Sequence, residues 1–269
     1  MRIDYHTHHV RCGHAEGTLE QYIQQAVQIG LDQIGVSDHM PLLHVDPATY
    51  LPGMAMPMEE LPRYFEEAQQ LKEKYRGTID VRIGLEGDYI EGYEEQIERI
   101  VNGYEWDYVI GSVHFLGEWD ITDFRQLSGW ESRHIDEVYE LYYEAMTKAA
   151  KTGFYTYMGH LDVVKRYAPT QPTKDHTDLI ETTLRTIRDN DLAIEINASG
   201  LRMTVGETFP NRAILERCKA LDIPVTLGSD AHLPERVGQY LDQAEKLLKE
   251  VGYGELATFS QKERFMVQF

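Results

Sequence analysis

Apolar positions recur along this chain in two alternating rhythms. Short dense runs rich in β-branched and aromatic residues fall at residues 2–5, 33–37, 79–85, 108–113, 155–159, 193–197 and 224–228. They have the length and composition of strands buried on both faces. Between them lie stretches with helical spacing, at 18–30, 58–75, 93–102, 131–152, 175–190, 211–220 and 234–251. In the first of these, Leu19, Tyr22, Ile23, Ala26 and Ile29 share one face, and Gly30 supplies the stop. The tail at 256–269 follows neither rhythm clearly. Strands alternating with helices predict parallel βα units in a barrel or near-barrel, with a doubly wound open sheet as the other arrangement. No repeat, low-complexity tract or linker interrupts the series, so residues 1–269 read as one domain. A long loop at 38–57, about 20 residues, has the length expected of an active-site lid. A second long loop follows residue 113.

In such an architecture, chemistry gathers at the C-terminal ends of the strands. The seven predicted strands deliver, in order, His6-Thr7-His8 with His14 close behind; Asp38-His39; Glu86 with Asp88; Ser112-Val113-His114; Gly159-His160; Asn197 through Arg202; and Ser229-Asp230-Ala231-His232. Seven of the eleven histidines (6, 8, 14, 39, 114, 160 and 232) sit at or just past these ends. A single histidine after a strand is usually a hydrogen-bonded loop residue. His6 and His8 are different, because alternate residues on a strand point the same way and both imidazoles can reach one ion. Asp230-Ala231-His232 repeats the pattern near the other end of the chain. So many imidazoles and carboxylates converging without a cation would be costly to desolvate. The nitrogen and oxygen donors, without thiolate, suit zinc, manganese or iron better than calcium or magnesium.

The remaining histidines read as structural. His9 is expected to face away from His8, His44 to sit in an exposed loop, and His134 and His176 to lie on the surface at helix starts. Cys12, between His8 and His14, reads as packing, since nothing marks it as a nucleophile. Tyr139, Tyr142 and Tyr143 fall at helical spacing and read as core.

Charge narrows the partners. The net charge is −19, from 45 acidic and 26 basic residues. That balance disfavours nucleic acids and anionic membranes as partners. It leaves room for a small phosphate ester, because bound divalent ions can reverse the field inside a pocket. Two distant cysteines make no disulfide framework. There is no charged leader with an apolar core, and no apolar run approaches the roughly 20 residues of a membrane span. A soluble, cytoplasmic protein is expected.

The motifs from Asp4-Tyr5-His6-Thr7-His8 to Gly228-Ser229-Asp230-Ala231-His232 occur in an order that resembles the PHP (polymerase and histidinol phosphatase) superfamily. Cys12-Gly13-His14-Ala15, residues 56–61, Gly111-Ser112-Val113-His114-Phe115 and Asn197-Ala198-Ser199-Gly200-Leu201-Arg202 resemble its histidinol-phosphate phosphatase branch. The resemblance implies a distorted (β/α)7 barrel holding three divalent metal ions. It places His6, His8 and Asp230 on the first ion, and Glu86 as the bridge to a second held by His114 and His160. His14, His39 and His232 would hold the third. It also implies phosphate contacts from Arg202 and from either Lys165 or Arg166, and L-histidinol phosphate, an intermediate of histidine biosynthesis, as substrate. A metal-bridging hydroxide would attack phosphorus, with Asp230 and His232 near enough to handle protons. Asp88, Glu118 and Asp162 lie near strand ends and read either as partners for the amine or imidazole of such a substrate or as ordinary solvated carboxylates.

Three other readings are open to this residue pattern. One is a phosphoesterase of the same superfamily acting on nucleotides or phosphoproteins. Another is an amidohydrolase-type barrel, against which Glu86 speaks, since such barrels usually bridge metals with lysine. The third is a metal-holding module without turnover, which would have no use for Arg202.

Overall fold

The computed structural model describes residues 1–46 and 53–269. In chain order the elements are β1 (Ile3–Asp4), α1 (Leu19–Gln28), β2 (Gln33–Val36), α2 (Leu61–Lys74), β3 (Asp80–Asp88), α3 (Glu94–Asn102), β4 (Tyr108–Ser112), β5 (Phe115–Leu116), β6 (Trp119–Asp120) and α4 (Ile135–Lys151). There follow β7 (Tyr157–Met158), α5 (Thr177–Asp189), β8 (Ala193–Asn197), α6 (Arg212–Ala220), β9 (Val225–Gly228), α7 (Leu241–Val251), β10 (Glu255–Ser260) and β11 (Glu263–Gln268). Helix α1 starts where its sequence says it should. The Gln21 amide N–H donates to Thr18 Oγ1 and the Thr18 N–H donates to Gln21 Oε1, a reciprocal capping box.

Seven strands form one sheet in the order β1-β2-β3-β4-β7-β8-β9, and every neighbouring pair is parallel. The sheet nearly closes on itself. The Tyr5 N–H donates to the Leu227 carbonyl at 2.9 Å, the His8 N–H donates to the Ala231 carbonyl at 2.9 Å, and Thr7 bridges Ala231. The buried Asp4 carboxylate reinforces this seam, accepting from the Ser229 N–H at 2.9 Å, the Ser229 hydroxyl at 2.5 Å and the Gly238 N–H at 2.8 Å. The expected (β/α)7 barrel is therefore the observed one, and the open sheet is not.

Aromatic rings fill the interior. Tyr5 stacks on Tyr108 with centroids 5.1 Å apart, Tyr108 on Tyr157 at 5.8 Å, and Tyr157 on Phe259 at 5.4 Å. The Tyr108 and Tyr157 hydroxyls both donate to the Tyr5 carbonyl, which satisfies polar groups that burial would otherwise leave costly. Gly84 is needed here, since a Cβ would overlap the Tyr108 ring. Phe259 comes from the tail, which is a two-stranded antiparallel hairpin of β10 and β11. That hairpin supplies one member of the aromatic stack.

Several other expectations are revised. The helix expected at 234–251 is broken: a 3₁₀ turn (Pro234–Arg236) is followed by Tyr240 with φ 64°, and α7 begins only at Leu241. The loop after residue 113 contains the small β5–β6 hairpin and a 3₁₀ segment, Phe124–Trp130. His176 is buried rather than exposed, because its Nε2 packs 3.1 Å from the buried Asp136 carboxylate, which also accepts from the Thr173 and Lys174 N–H groups. His134 is exposed as expected. The lid expected at 38–57 lies in part, at 47–52, outside the described residues. No helix among the described residues is long and apolar enough to cross a membrane.

Candidate metal centre

The parallel barrel aims its strand ends at one place. Glu86, buried near the end of β3, lies at the middle of what gathers there. Its carboxylate is 3.3 Å from His6 Nε2, 3.4 Å from His8 Nε2, 2.8 Å from His39 Nδ1, 3.5 Å from His114 Nε2 and 2.9 Å from His160 Nε2. Asp230 approaches from beyond β9, 3.4 Å from His8 Nε2 and 4.0 Å from His6 Nε2. His14 and His232 meet at the rim, Nε2 to Nε2, at 2.9 Å. The structure thus brings together all nine side chains named from sequence. Four groups within them have donor atoms close enough for one ion: His6, His8, Asp230; His6, Glu86, His160; His39, Glu86, His114; and His8, His39, His232.

These groups fit divalent cations and little else. His6 Nε2, both nitrogens of His8, Glu86 Oε2 and His160 Nδ1 are buried without a hydrogen-bond partner among the described residues. Unmet polar atoms at this density are costly unless something else binds them. The His14–His232 pair makes the same point through its tautomers. Each Nδ1 faces a backbone carbonyl, of Cys12 and Asp230 respectively, and must carry the proton there. The two Nε2 lone pairs then face one another, a repulsive arrangement that a cation between them relieves.

At the rim the electrostatics agree; deeper in, neighbouring carboxylates outweigh burial and raise His6, His8 and His114, whose protons a bound cation would displace. Burial lowers the His14 pKa to about 4, helped by His39 and His8. Burial likewise lowers His39 and His232. All three are therefore neutral imidazoles at neutral pH, the form that ligates. Burial by itself would raise Glu86, but the charged His6 and His114 outweigh it and hold the carboxyl well below its ordinary range. Asp230 is held down in the same way by His6 and His8.

A further layer of carboxylates aims these ligands. Glu195 on β8 is fully buried, and its Oε1 lies 2.7 Å from His6 Nδ1. Its Oε2 accepts from the His160 N–H at 3.0 Å and from Asn197 Nδ2 at 3.1 Å. Glu195 therefore fixes the proton on His6 Nδ1 and leaves Nε2 free for an ion, while holding the backbone that carries His160. Asp88 does the same for His114, with 2.9 Å to Nδ1. Asp38 lies 3.5 Å from His8 Nδ1 and 2.5 Å from His9 Nδ1. His9 does turn away from the cluster, but it is buried, linking Asp38 to Arg11. Cys12 is buried too, its thiol on the His9 carbonyl and its pKa raised by burial, in keeping with packing. Glu195 went unremarked in the sequence reading. Its signal was an acid inside the apolar run Ala193-Ile194-Glu195-Ile196. Replacing Glu195 with Gln is expected to weaken metal binding about 10–100-fold, as outer-shell substitutions do. Competition with a chromophoric chelator measures this, and a variant that holds metal as tightly as the parent would remove Glu195 from the role.

A cavity of about 530 Å³ opens over the cluster. Its walls include Asp88, Asp120, Phe124, Arg166, Arg202 and Arg236. Arg202 Nη1 donates to the Ser229 carbonyl at 2.7 Å and Nη2 to the Asp230 carbonyl at 2.5 Å. The two basic neighbours expected to share phosphate contact separate here. Arg166 lines the cavity, whereas the Lys165 amine is bound by Asp162 at 2.7 Å, Glu207 at 2.8 Å and the Thr208 carbonyl at 3.1 Å, and is not on its wall. Of the three acids placed near the substrate amine, Asp88 lines the cavity. Asp162 is engaged with Lys165 and Asn211, and Glu118 lines a shallower neighbouring depression. Asp120, a buried acid on the β5–β6 hairpin, lines the cavity without having been foreseen. His44 is half-buried, its ring edge-on to Phe115 with centroids 4.5 Å apart.

Comparison with known proteins agrees with this geometry. The PHP domain family model matches residues 4–199, and the PHP-associated family model matches residues 209–252. A Deinococcus radiodurans protein named probable histidinol-phosphatase is 35% identical over 96% of this chain and 96% of its own length. The Bacillus subtilis histidinol-phosphatase is 32% identical over 88% of this chain and 96% of its own. The crystal structure of a Lactococcus lactis histidinol phosphate phosphatase, complexed with zinc, L-histidinol and phosphate, superimposes with a TM-score of 0.83 at 27% identity, covering 98% of each chain. With the motifs in order, the barrel nearly closed and the ligand set assembled at its mouth, this chain belongs to the PHP family.

Proposed function

We propose that the protein is a divalent-metal phosphomonoesterase that hydrolyses L-histidinol phosphate to L-histidinol and phosphate. The observation that carries this reading is the composition of a single cavity. A cluster suited to metal lies against it, arginines that can take a phosphate line it, and Asp88 and Asp120 line it too, able to take a cationic amine or imidazole. Few phosphate esters need both kinds of wall, and histidinol phosphate does. The relatives named for this activity match over nearly the whole chain.

The nine side chains are assigned to three ions as follows: His6, His8 and Asp230 on one, His114 and His160 on a second with Glu86 between the two, and His14, His39 and His232 on the third. Zinc, manganese and iron suit this donor set, and the zinc in the L. lactis structure favours the first. When bound, such ions supply positive charge for the phosphoryl oxygens and acidify water toward neutral pH. The protein does the rest. Arg202, fixed by two backbone carbonyls, and Arg166 hold the phosphate oxygens. Asp230, kept ionised, can take the proton of the attacking water and return it to the leaving oxygen. His232, kept neutral, suits ligation better than proton donation. Residues 1–269 work as one domain in this reading, since the strands that contribute ligands run from β1 to β9.

The test is phosphate release by the metal-loaded protein from histidinol phosphate beside nucleoside monophosphates and a phosphotyrosine peptide. Histidinol phosphate is expected to win by at least about 100-fold in kcat/KM, because a site built to bind polar groups rejects analogues that leave them unpaired. Chelation should abolish turnover, and zinc, manganese or iron should restore it. Equal rates across the panel would sink the assignment of the alcohol.

A further inference from the structure

The chain carries 45 acidic residues against 26 basic ones, so basic groups normally find acidic partners on its surface. The cavity departs from that. Four arginines line it: Arg125 is paired with Asp123 at 3.0 Å, whereas Arg166, Arg202 and Arg236 have no carboxylate within ion-pair distance among the described residues. Arg202 is held by backbone carbonyls alone. Arg166 has a buried Nε without a hydrogen-bond partner. Arg236 is exposed, belongs to a different element, and lies near enough to Arg202 for the two charges to repel. Asp230, on the same wall, attracts Arg202 without pairing with it, and three guanidinium groups left unpaired oppose one another unless an anion comes between them.

The segment carrying Arg236 is not loose. It is the 3₁₀ turn Pro234–Arg236, directly after the His232 loop. Val237 behind it is buried, and the Gly238 N–H donates to Asp4 at 2.8 Å. The same carboxylate accepts from Ser229, whose carbonyl in turn holds Arg202. Arg236 and Arg202 are therefore referenced to one anchor, so their spacing is part of the fold.

Resting on the phosphatase reading, we propose that Arg236 is a phosphate-capturing residue: the outer of three unpaired guanidinium groups that draw the substrate's phosphate in and retain inorganic phosphate after hydrolysis. An acidic protein repels its own substrate at long range, and a local basic rim at the mouth corrects this where it matters. Such a residue acts on encounter and ground-state binding, and its contribution is screened by salt.

The experiment uses the full-length, zinc-loaded protein with Arg236→Ala and Arg236→Lys. Inorganic phosphate is the probe, as a competitive inhibitor of histidinol phosphate hydrolysis and by direct calorimetric titration. Removing the guanidinium should raise both KM and the phosphate inhibition constant about tenfold and flatten the fall of kcat/KM between about 20 and 200 mM salt. The loss should fall on KM rather than on kcat, bound zinc should be unchanged, and Arg236→Lys should recover most of it. Unchanged phosphate binding and salt dependence in Arg236→Ala would overturn the proposal. So would a loss that tracks zinc content and that lysine does not rescue. If the parent failed to hydrolyse histidinol phosphate while Arg236→Ala still bound phosphate more weakly, the substrate reading would fall and the capture role would stand.

Discussion

Glu86→Ala is expected to lose phosphatase turnover by about 10⁴-fold or more, the scale seen when one member of an interdependent catalytic unit is removed, and to purify with less metal. The reason lies in its position. Its two oxygens stand within 3.5 Å of nitrogens from His6, His8, His39, His114 and His160, which come from four different strand ends. No other carboxylate in the cluster reaches so many. Without it, imidazoles packed at contact distance lose the negative charge that lets them share the site with cations, and two ion positions lose their common ligand. Ser112, whose hydroxyl donates to Glu86 Oε1 at 2.7 Å, would lose its partner as well. The informative measurement is metal per protein by elemental analysis, taken beside steady-state rates on the same preparation. Glu86→Gln is the companion variant, since it keeps the volume and removes only the charge. Full turnover in either would mean that no ion needs Glu86 as a bridge.

The site was legible in the sequence because its residues obey a simple rule of place. In a parallel barrel each strand ends at the same rim, so a histidine or acid just after an apolar run is already located in space. Glu86, His114 and Asp230 were found in this way, far apart in the chain and adjacent in the fold. Residues that act from inside a strand escaped the same rule. Glu195 points into the barrel from within β8, and only the oddity of an acid in an apolar run marked it. His176 was misplaced because position at a helix start says nothing of Asp136, forty residues earlier and buried beside it. The tail failed for a local reason. Its two-residue turn is Gln261-Lys262, both with positive φ, at 52° and 64°. Such a turn ordinarily announces itself with Asn-Gly or Asp-Gly, and here the signal is absent. Packing of Phe259 against Tyr157 and Tyr5 evidently outweighs the strain. The choice between Lys165 and Arg166 needed coordinates for another reason. Adjacent residues in a 3₁₀ turn point in different directions, and only the structure shows Asp162 and Glu207 occupying the lysine.

Arg202→Ala is expected to cost about 3 kcal/mol of transition-state stabilisation, on the order of 100-fold in kcat/KM, the usual loss on removing one preorganised donor from a developing oxyanion. Metal content should stay at the parent level, and that condition decides what the residue does. Arg202 has two attachments, to the carbonyls of Ser229 and Asp230, and these residues also carry the loop on which Asp230 and His232 sit. It could therefore serve the reaction by gripping phosphate or by holding ligands in place. The two roles predict different failures. A phosphate-gripping arginine leaves the ions where they are when it is removed, weakens inhibition by inorganic phosphate, and is only partly replaced by Arg202→Lys, which lacks the planar fork. A loop-holding arginine releases metal when it is removed, and activity returns when zinc is supplied in excess. The structure favours the first. Asp4 already anchors Ser229 through two hydrogen bonds and Gly238 through a third, and His8 and Ala231 are joined through the backbone, so the loop keeps its place without Arg202. Zinc loss from Arg202→Ala, cured by added zinc, would reverse that conclusion and move the phosphate contact to Arg166.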